Sequence, residues 1–460
     1  MTSMADLSPV LQDLFGPVAD RLARQTGCVQ RALRFTGSTL LQTLVLGYRA
    51  NPAASLVELT QLAARLGITI TPQGLAQRFS VRLAETLRRL LAIATQQTVA
   101  RRADWSPLLA AFPGGIWLVD STTITLPDAL SASWPGCGGG KGQGAAAVKV
   151  HPLFDLASGA LGRLDLTPGR ASDRGSATQH APLPARSLRV HDRQYVTLAV
   201  LRDLVEAGSD WLSRWHATIR IAGPDGFAWT DLAGQLASLA AGDGWVDVPV
   251  ILGAHEHLPA RLLAVRLPPE QADRERAAVK RRAQRAGYTA SDQARALAGW
   301  LIVITSVAAD RLTPREVLVL LRARWQIERL FRRWKQHGLL TVWHSAQTDQ
   351  ILCEVLAKLL GCLLDHWLVV VACWEVPDRS LDRASRAVGA GILVLATVFR
   401  DPAALTRELE RLADIIRQTC RLTKRRARPN LLQLLADPTR QPLPGPPASD
   451  PRPVTRDQAA

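Results

Sequence analysis

The segment LRARWQIERLFRRWK, residues 321 to 335, carries the residues best suited to chemistry in this chain. On a helix, Arg324, Glu328 and Lys335 stand at offsets of four and seven, which places them on one helical face. A single carboxylate then lies between two cations, with Arg332 and an indole nearby. Such a group is an unusual way to build a core, whereas it suits a metal ion held against a polyanion. The segment therefore indicates an enzyme that acts on nucleic acid.

Two further acids come at the ends of predicted strands. Asp120 follows the apolar run GIWLV, and Asp192 follows SLRVH. Ligand sites tend to form at strand ends in α/β sheets. Together with Glu328, these acids supply hard carboxylate oxygens, which two divalent ions about 3.5 to 4 Å apart need for phosphoryl transfer. The sequence therefore predicts a two-metal site made of Asp120, Asp192 and Glu328.

Each of these residues also has a purely structural interpretation. Asp120 could cap a strand or pair with an arginine, Asp192 could pair with Arg193, and Glu328 could form a salt bridge on an arginine-rich helix. Adjacent residues on a strand point to opposite faces, so we interpret His191 as a packing or outer-shell residue.

The composition favours a polyanionic partner. The 460 residues include 56 Lys and Arg against 40 Asp and Glu, a net charge of +16, and only six of the basic residues are lysine. Arginine forks onto phosphate with two hydrogen bonds, and such an excess favours nucleic acid or an anionic membrane. A GC-rich genome would also raise the arginine content, so the preference for arginine over lysine has two explanations.

Cysteine usage and hydropathy indicate a cytoplasmic protein without a membrane span. The six cysteines form no CxxC pair, which argues against a zinc ribbon and a disulfide framework and fits a reducing compartment. The N-terminus lacks the basic start of a signal peptide. The most apolar stretch, ILCEVLAKLLGCLLDHWLVVVACW, carries Glu354, Lys358, Asp365 and His366, so we expect a buried pair of core helices.

Apolar periodicity divides the chain into five segments. They are a helical DNA-binding region over 1–105, the first part of a catalytic core over 106–215, a β-rich insertion over 216–307, the second part of the core with the Glu328 helix and the C-terminal helices over 308–430, and a disordered tail over 431–460. The fold class is therefore α/β with helical regions at both ends. Within it, GIWLVDSTTITL predicts a buried strand, AAVKVHPLFDLASGALGRLDLTPG predicts a hairpin that turns at residues 157–159, and DWLSRWHATIRIAG predicts a further strand. The charged segment EQADRERAAVKRRAQRAGY predicts an exposed helix or arm.

Several smaller features are left with two interpretations or a modest role. The segment around Gly67 predicts two helices, either a helix-turn-helix or a plain helical hairpin. The basic run RLTKRRAR is either a solvated face or a DNA contact. A helix over residues 313 to 337 should begin at Thr313. Asp155 is interpreted as a strand-turn residue, and Asp173 as a helix N-cap in ASDRGS.

The spacing of these motifs resembles that of the DDE transposases of bacterial insertion sequences, in particular the cut-and-paste IS-four family. Its YREK signature runs Tyr, two residues, Arg, three residues, Glu, six residues, Lys. The matching positions here are Leu321, Arg324, Glu328 and Lys335, so Leu replaces Tyr. The resemblance covers roughly residues 50 to 370.

The family's other two acids also have counterparts. The first is followed by small hydroxylated residues, here Ser121 and Thr122. The second begins an Asp-Arg-Gly-Tyr-like turn, in which Gln194 replaces the Gly. Neither this change nor Leu321 removes a metal ligand, so an active enzyme is expected, although one phosphate contact is lost with the Tyr.

The resemblance implies a ribonuclease-H-like core interrupted by a β-rich insertion. It also implies metal-dependent cleavage of element ends and strand transfer into DNA, with two Mg²⁺ ions for which Mn²⁺ can substitute. The expected DNA contacts are Arg193, Arg324, Arg332 and Lys335. The implied partner is double-stranded DNA, both inverted-repeat ends and target, bound by a homodimer at the nucleoid. Two alternatives are open: a catalytically silent DNA-binding protein derived from a transposase, and a nuclease of the same fold.

Overall fold

A computed structural model describes residues 2–30, 35–138, 144–240, 244–422 and 429–443. The chain divides into two compact units. The first contains Met1–Pro184 and Ala323–Ala436, and the second contains Ala185–Arg322 with the described residues from Asp437 onward. Each unit is described by itself.

The N-terminal part of the first unit is helical, as predicted. Its helices are α1 (Met4–Asp13), α2 (Ala19–Gln25), α3 (Gly37–Ala50), α4 (Leu56–Arg65), α5 (Pro72–Ala76), α6 (Val81–Ala94) and α7 (Pro107–Ala110). Gly67 has a φ of +79° between α4 and α5, which is the predicted turn. Helix α5 has only five residues, so it offers little more than one turn to a major groove.

A β-sheet follows in the same unit, made of β1 (Ile116–Val119), β2 (Thr122–Leu126), β3 (Ala146–Asp155) and β4 (Leu161–Pro168). Both β1 and β2 pair with β3, antiparallel and in one continuous register, since Trp117 faces Asp155 and Thr122 faces Val150. The predicted strand GIWLVDSTTITL therefore forms two strands, β1 and β2, which are collinear along β3 and are separated by a break at Asp120. The predicted hairpin of β3 and β4 is confirmed.

The second unit contains a sheet with strands in the order β5, β6, β10, β9, β8, β7. The strands are β5 (Leu188–His191), β6 (Asp210–Arg214), β7 (Ile221–Ala222), β8 (Trp245–Leu252), β9 (Leu258–Arg266) and β10 (Trp300–Thr305). Strands β5 and β6 are parallel, whereas the other neighbours are antiparallel. The segment DWLSRWHATIRIAG, predicted as one strand, forms both β6 and β7, because Trp215 to Arg220 make a turn between them.

Five helices accompany these strands: α8 (Leu198–Glu206), α9 (Leu232–Leu239), α10 (Pro269–Arg285), α11 (Asp292–Leu297) and α12 (Pro314–Ala323). The predicted charged helix is α10, and it is exposed along most of its length. Thr313 caps α12, because the backbone N–H of Glu316 donates to its Oγ1 at 3.4 Å and its own N–H donates to the Glu316 carboxylate at 2.7 Å.

The C-terminal helices belong to the first unit. They are α13 (Trp325–Gly338), α14 (Thr348–Cys373), α15 (Leu381–Val398), α16 (Pro402–Thr419) and α17 (Leu431–Ala436). By length and a mean hydropathy of 1.9, α14 could cross a membrane, but its apolar window is wholly buried inside the protein. The expected pair of core helices is therefore one long helix that packs against α3, α6 and α16.

Two further expectations need correction. The predicted helix over 313 to 337 divides at Arg324 into α12 and α13. The predicted disordered tail begins with helix α17, because LLQLLA buries Leu431, Leu434 and Leu435, and the Leu435 carbonyl accepts a hydrogen bond from Ser106 at 2.6 Å. Residues 423–428 of the basic run and 444–460 of the tail lie outside the described residues.

Candidate active site

Two of the three predicted acids share one guanidinium group. Arg324 donates from Nη1 to Oδ2 of Asp120 at 3.2 Å and from Nη2 to Oε1 of Glu328 at 2.8 Å. The side chains of Asp120, Glu328 and Arg324 are 19%, 33% and 15% exposed, so all three are accessible from solvent. The structure therefore brings Asp120 and Glu328 together although they are far apart in sequence.

The break between β1 and β2 positions Asp120. Buried residues on both sides, Val119 and Thr122, hold the flanking strands against β3. The Asp120 carboxylate accepts a hydrogen bond through Oδ1 from the backbone N–H of Ser121 at 2.8 Å. One carboxylate oxygen is thus bound by the local backbone and the other by Arg324.

Helix α13 positions Glu328. Its opposite face buries Ile327, Leu330, Phe331 and Trp334. A buried cation on the same helix, Arg333, adds polar contacts with helix α14, and these involve His366 Nδ1 at 2.9 Å and Asp365 at 3.8 Å. Arg324 and Glu328 stand one helical turn apart, which explains their contact.

The third acid, Asp192, lies in the second unit. It follows β5 and precedes a 3₁₀ turn over Arg193–Tyr195. His191 is fully buried, and burial followed by the charge of Arg189 holds its pKa well below the ordinary value. His191 therefore suits its interpretation as a packing residue rather than a catalyst. The convergence of Asp192 with Asp120 and Glu328 stays a prediction.

The four predicted DNA contacts occupy different environments. Arg332 is exposed, and Lys335 is half-buried with a pKa that burial lowers. Arg193 is also half-buried, and its pKa is lowered by burial and then by the charges of Arg214 and Arg282. Arg324 is bound to two carboxylates; the spacing of four residues indicated its contact with Glu328, but no sequence pattern indicated its contact with Asp120. The side chain of Gln194 lies outside the described part of the chain.

The two remaining acids differ in role. Asp155 is buried and accepts hydrogen bonds from the backbone of Ile116 at 2.8 Å and of Ala157 at 3.0 Å, as its strand-turn interpretation requires. The interpretation of Asp173 as an N-cap is wrong, because Ser172 holds that position. The Asp173 carboxylate instead accepts a hydrogen bond from Ser121 and pairs with Lys149, both at 3.0 Å.

The sequence did not indicate Lys149 as a site residue. The available signal was one lysine within an otherwise buried strand, which pairs with the two strands that flank Asp120. Its partner Asp173 comes from beyond the next strand, so their pairing depends on the hairpin.

The residues at Asp120 fit a divalent metal ion in kind. Among the described residues, no group of three or more His, Cys, Asp or Glu side chains gathers into a metal site. Asp120 and Glu328 nevertheless present carboxylate oxygens, the ligands that Mg²⁺ and Mn²⁺ prefer, and they already share a positive group. The two carboxylates are therefore arranged to bind a positive charge between them.

Comparisons with known proteins agree with this chemistry. A family described as "Transposase DDE domain" matches residues 112–360, a range that contains all three predicted acids. The transposase for insertion sequence element IS231B of Bacillus thuringiensis subsp. berliner is 22% identical over 439 residues, which cover 90% of this chain and 91% of that protein. For the IS231D transposase of subsp. finitimus, the identity is 24% over 362 residues and 75% of each chain. The putative transposase InsL for IS186A of Escherichia coli (strain K12) is 25% identical over 349 residues, 71% of this chain and 87% of that protein. Since the family match spans more than half of its length, this chain belongs to the DDE-domain transposases.

Proposed function

We propose that Asp120, Asp192 and Glu328 are the catalytic acids with which this transposase cuts the ends of its element and joins them to target DNA. The observation that supports this assignment most strongly is the contact of Asp120 and Glu328 with the guanidinium of Arg324. A salt bridge within one helix would explain Glu328 alone. It would not explain why a strand-end aspartate distant in sequence meets the same cation.

The three acids would hold divalent metal ions, which enzymes of this family generally use. We propose two Mg²⁺ ions, with Mn²⁺ as a substitute. When bound, such ions lower the pKa of the attacking water or 3′-hydroxyl and stabilise the leaving oxygen. The role of the chain itself is to present partly exposed carboxylates from a rigid strand and a rigid helix.

We assign the binding of the DNA backbone to four basic residues. Arg332 is exposed on α13, and Lys335 and Arg193 are half-buried, so each of them has at least part of its side chain accessible to a phosphate. Arg324 would bind the phosphate that is being cut, and it would leave the carboxylates as it does so. Such contacts position DNA without reading its sequence.

We further assign the chain to the IS-four family with its YREK signature. Arg324, Glu328 and Lys335 support this assignment. Leu321, which stands where the signature has Tyr, is buried and aliphatic, so it supplies no phosphate contact. A ribonuclease-H-like core is the proposed fold. The antiparallel strands β1 to β4 and the parallel pair β5 and β6, which α8 connects, support it.

The proposed partners are the inverted-repeat ends of the element and the target DNA, bound by a homodimer at the bacterial nucleoid. Cutting two ends in step requires two active sites, whereas one chain has one set of acids. A net charge of +16 supports a polyanionic partner.

Cleavage and binding assays with single variants test the proposal. Asp120→Asn, Asp192→Asn and Glu328→Gln should each lower end cleavage about a thousandfold, roughly 4 kcal/mol of barrier, while binding to end DNA persists. Asp104→Asn, which changes an acid that is 70% exposed, is the matched control and should cut normally. Normal cleavage by any of the three variants would remove that residue from the site. Cleavage by the wild type without joining of pre-cut ends would favour a nuclease, and DNA binding without cleavage would favour a silent derivative.

A further inference from the structure

A chain of polar contacts leads from the β3–β4 hairpin to Asp120. Lys149, on β3, places its amine 3.0 Å from Oδ1 of Asp173, and the same oxygen accepts a hydrogen bond from the hydroxyl of Ser121 at 3.0 Å. Ser121 in turn donates its backbone N–H to Oδ1 of Asp120 at 2.8 Å. All four residues belong to the first unit.

Lys149 and Asp173, the two charged residues at the far end of these contacts from Asp120, are held in place by the hairpin. The Lys149 side chain is 12% exposed, and its amine also donates to the carbonyl of Ala171 at 2.8 Å. Asp173 is 30% exposed and follows β4 in a short 3₁₀ turn. The buried ring of His151, two residues along β3 from Lys149, has its Nδ1 at 4.0 Å from the same oxygen of Asp173. Oδ1 of Asp173 therefore lies within 4.0 Å of the Lys149 amine, the Ser121 hydroxyl and the His151 ring.

The location of this oxygen distinguishes it from an ordinary surface ion pair. Ser121 occupies the break between β1 and β2, where the ladder to β3 is interrupted. The hydroxyl contact with Asp173 holds Ser121 at a place where the strand does not. Because the Ser121 N–H binds Asp120, fixing Ser121 also fixes one oxygen of the Asp120 carboxylate.

We propose that Asp173 and Lys149 are positioning residues for Asp120, which act through Ser121 to orient its carboxylate toward the divalent metal ion. This inference rests on the proposed function, in which Asp120 is a metal ligand. Lys149 holds the Asp173 carboxylate in place, Asp173 holds the Ser121 hydroxyl, and Ser121 holds Asp120. Removing a residue that binds a metal ligand, but not the metal itself, typically weakens metal affinity by about 10 to 100-fold.

Direct Mn²⁺ binding to the full-length protein without DNA, followed by electron paramagnetic resonance, tests the proposal. Asp173→Asn and Ser121→Ala should each weaken Mn²⁺ binding by about tenfold or more, and should raise by a similar factor the Mn²⁺ concentration that gives half-maximal end cleavage. Ser121→Thr, which keeps the hydroxyl, should restore both. Lys149→Met should weaken binding as well, and combining it with Asp173→Asn should add little.

Asp165→Asn is the matched control. Asp165 lies on the same hairpin, is 19% exposed and binds Arg163 at 2.9 Å and Thr178 at 2.7 Å, but it makes no contact with Ser121. Its variant should bind Mn²⁺ as the wild type does. Circular dichroism and urea midpoints show whether each variant is folded, and if Asp173→Asn does not fold, the Ser121→Ala and Ser121→Thr pair decides.

Asp120→Asn in the same assay separates the two proposals. If it still binds Mn²⁺ and cuts DNA, Asp120 is not a ligand, and the proposed function and this inference both fail. If Asp120→Asn is inactive while Asp173→Asn and Ser121→Ala bind Mn²⁺ like the wild type, only the positioning role is overturned.

Discussion

At the scale of single residues, Arg324 can bind either of two kinds of anion, the carboxylates of the site or a phosphate of the DNA. Its guanidinium bridges Asp120 and Glu328 and offsets part of the repulsion between the two carboxylates. The same group has the planar fork that suits a phosphate. When DNA and metal bind, a phosphate can therefore replace the carboxylates as the partner of Arg324. The metal ion then replaces Arg324 as the partner of the carboxylates. This exchange would couple metal loading to DNA binding.

Removing Arg324 should make the free protein bind Mn²⁺ more tightly. A hydrogen bond to a charged group contributes about 1.5–3 kcal/mol, so Arg324→Ala should raise the affinity about tenfold or more. End cleavage should fall despite this gain, because the phosphate contact is lost. Mn²⁺ titration monitored by electron paramagnetic resonance measures the first effect.

Lys335→Ala is the control for this experiment, since Lys335 makes no ion pair with either acid and should leave Mn²⁺ affinity unchanged. Equal or weaker Mn²⁺ binding by Arg324→Ala would show that the guanidinium does not compete with the metal ion.

At the scale of elements, a buried network of charges fixes the helix that carries Glu328. Asp365 on α14 pairs with Arg49 of α3 at 2.5 Å and lies 3.8 Å from Arg333 of α13. It also accepts a hydrogen bond from Ser385 of α15 at 2.7 Å. Burial favours the neutral acid, yet Arg49 and Arg333 hold the pKa of Asp365 below its ordinary value. One carboxylate thus joins four helices behind the site.

Asp365→Asn should destabilise the protein by about 3–5 kcal/mol, because it leaves two buried guanidinium groups without their counter-charge. The free energy of unfolding in urea measures this loss. Asp382→Asn is the control, since Asp382 is 52% exposed and its ion pairs with His337 and Arg386 should each contribute less than about 1 kcal/mol. Similar losses in both variants would mean that the buried network is not what holds α13.

Sequence patterns predicted these elements better than their connections. The apolar spacing of α13 and the strand before Asp120 are local, so both were predictable, as was the hairpin of β3 and β4. Arg49 and Asp365 are separated by most of the chain, and no periodic pattern links them. The interruption at Asp120 was also missed, because a strand that pauses and resumes in register has the same composition as a continuous one.

At the scale of the whole molecule, the candidate site combines residues that local patterns identify one at a time. Asp120 and Asp192 each follow a strand that the sequence predicts, and Glu328 lies within a predicted helix. The contact that Asp120 and Glu328 share depends on tertiary structure, which is why Arg324 was predicted as a DNA contact and found between two acids. Lys149 escaped notice for the same reason, and Asp173 was interpreted as a helix N-cap with a modest chance of a site role.

Buried histidines distributed over both units should make global stability depend on pH. Burial lowers the pKa of His151, His191 and His366, the last to about 3, so burial favours the neutral form of all three in the folded protein. The unfolded chain takes up their protons near the ordinary value of about 6.5. Their contribution is therefore fully present above about pH 6.5, and it is lost as the pH falls toward the folded pKa values.

Between pH 7.5 and 5.5, His366, whose folded pKa of about 3 lies well below this window, should lower the free energy of unfolding by about 1.4 kcal/mol. His151 and His191 should add losses in the same direction. Urea unfolding at a series of pH values measures this slope, and the window lies above the ordinary titration range of the carboxylates. His366→Gln, which keeps a hydrogen-bonding group beside Arg333, should remove about 1.4 kcal/mol of the loss. Stability that stays constant across this window would mean that these histidines gain protons in the folded protein as readily as in the unfolded chain.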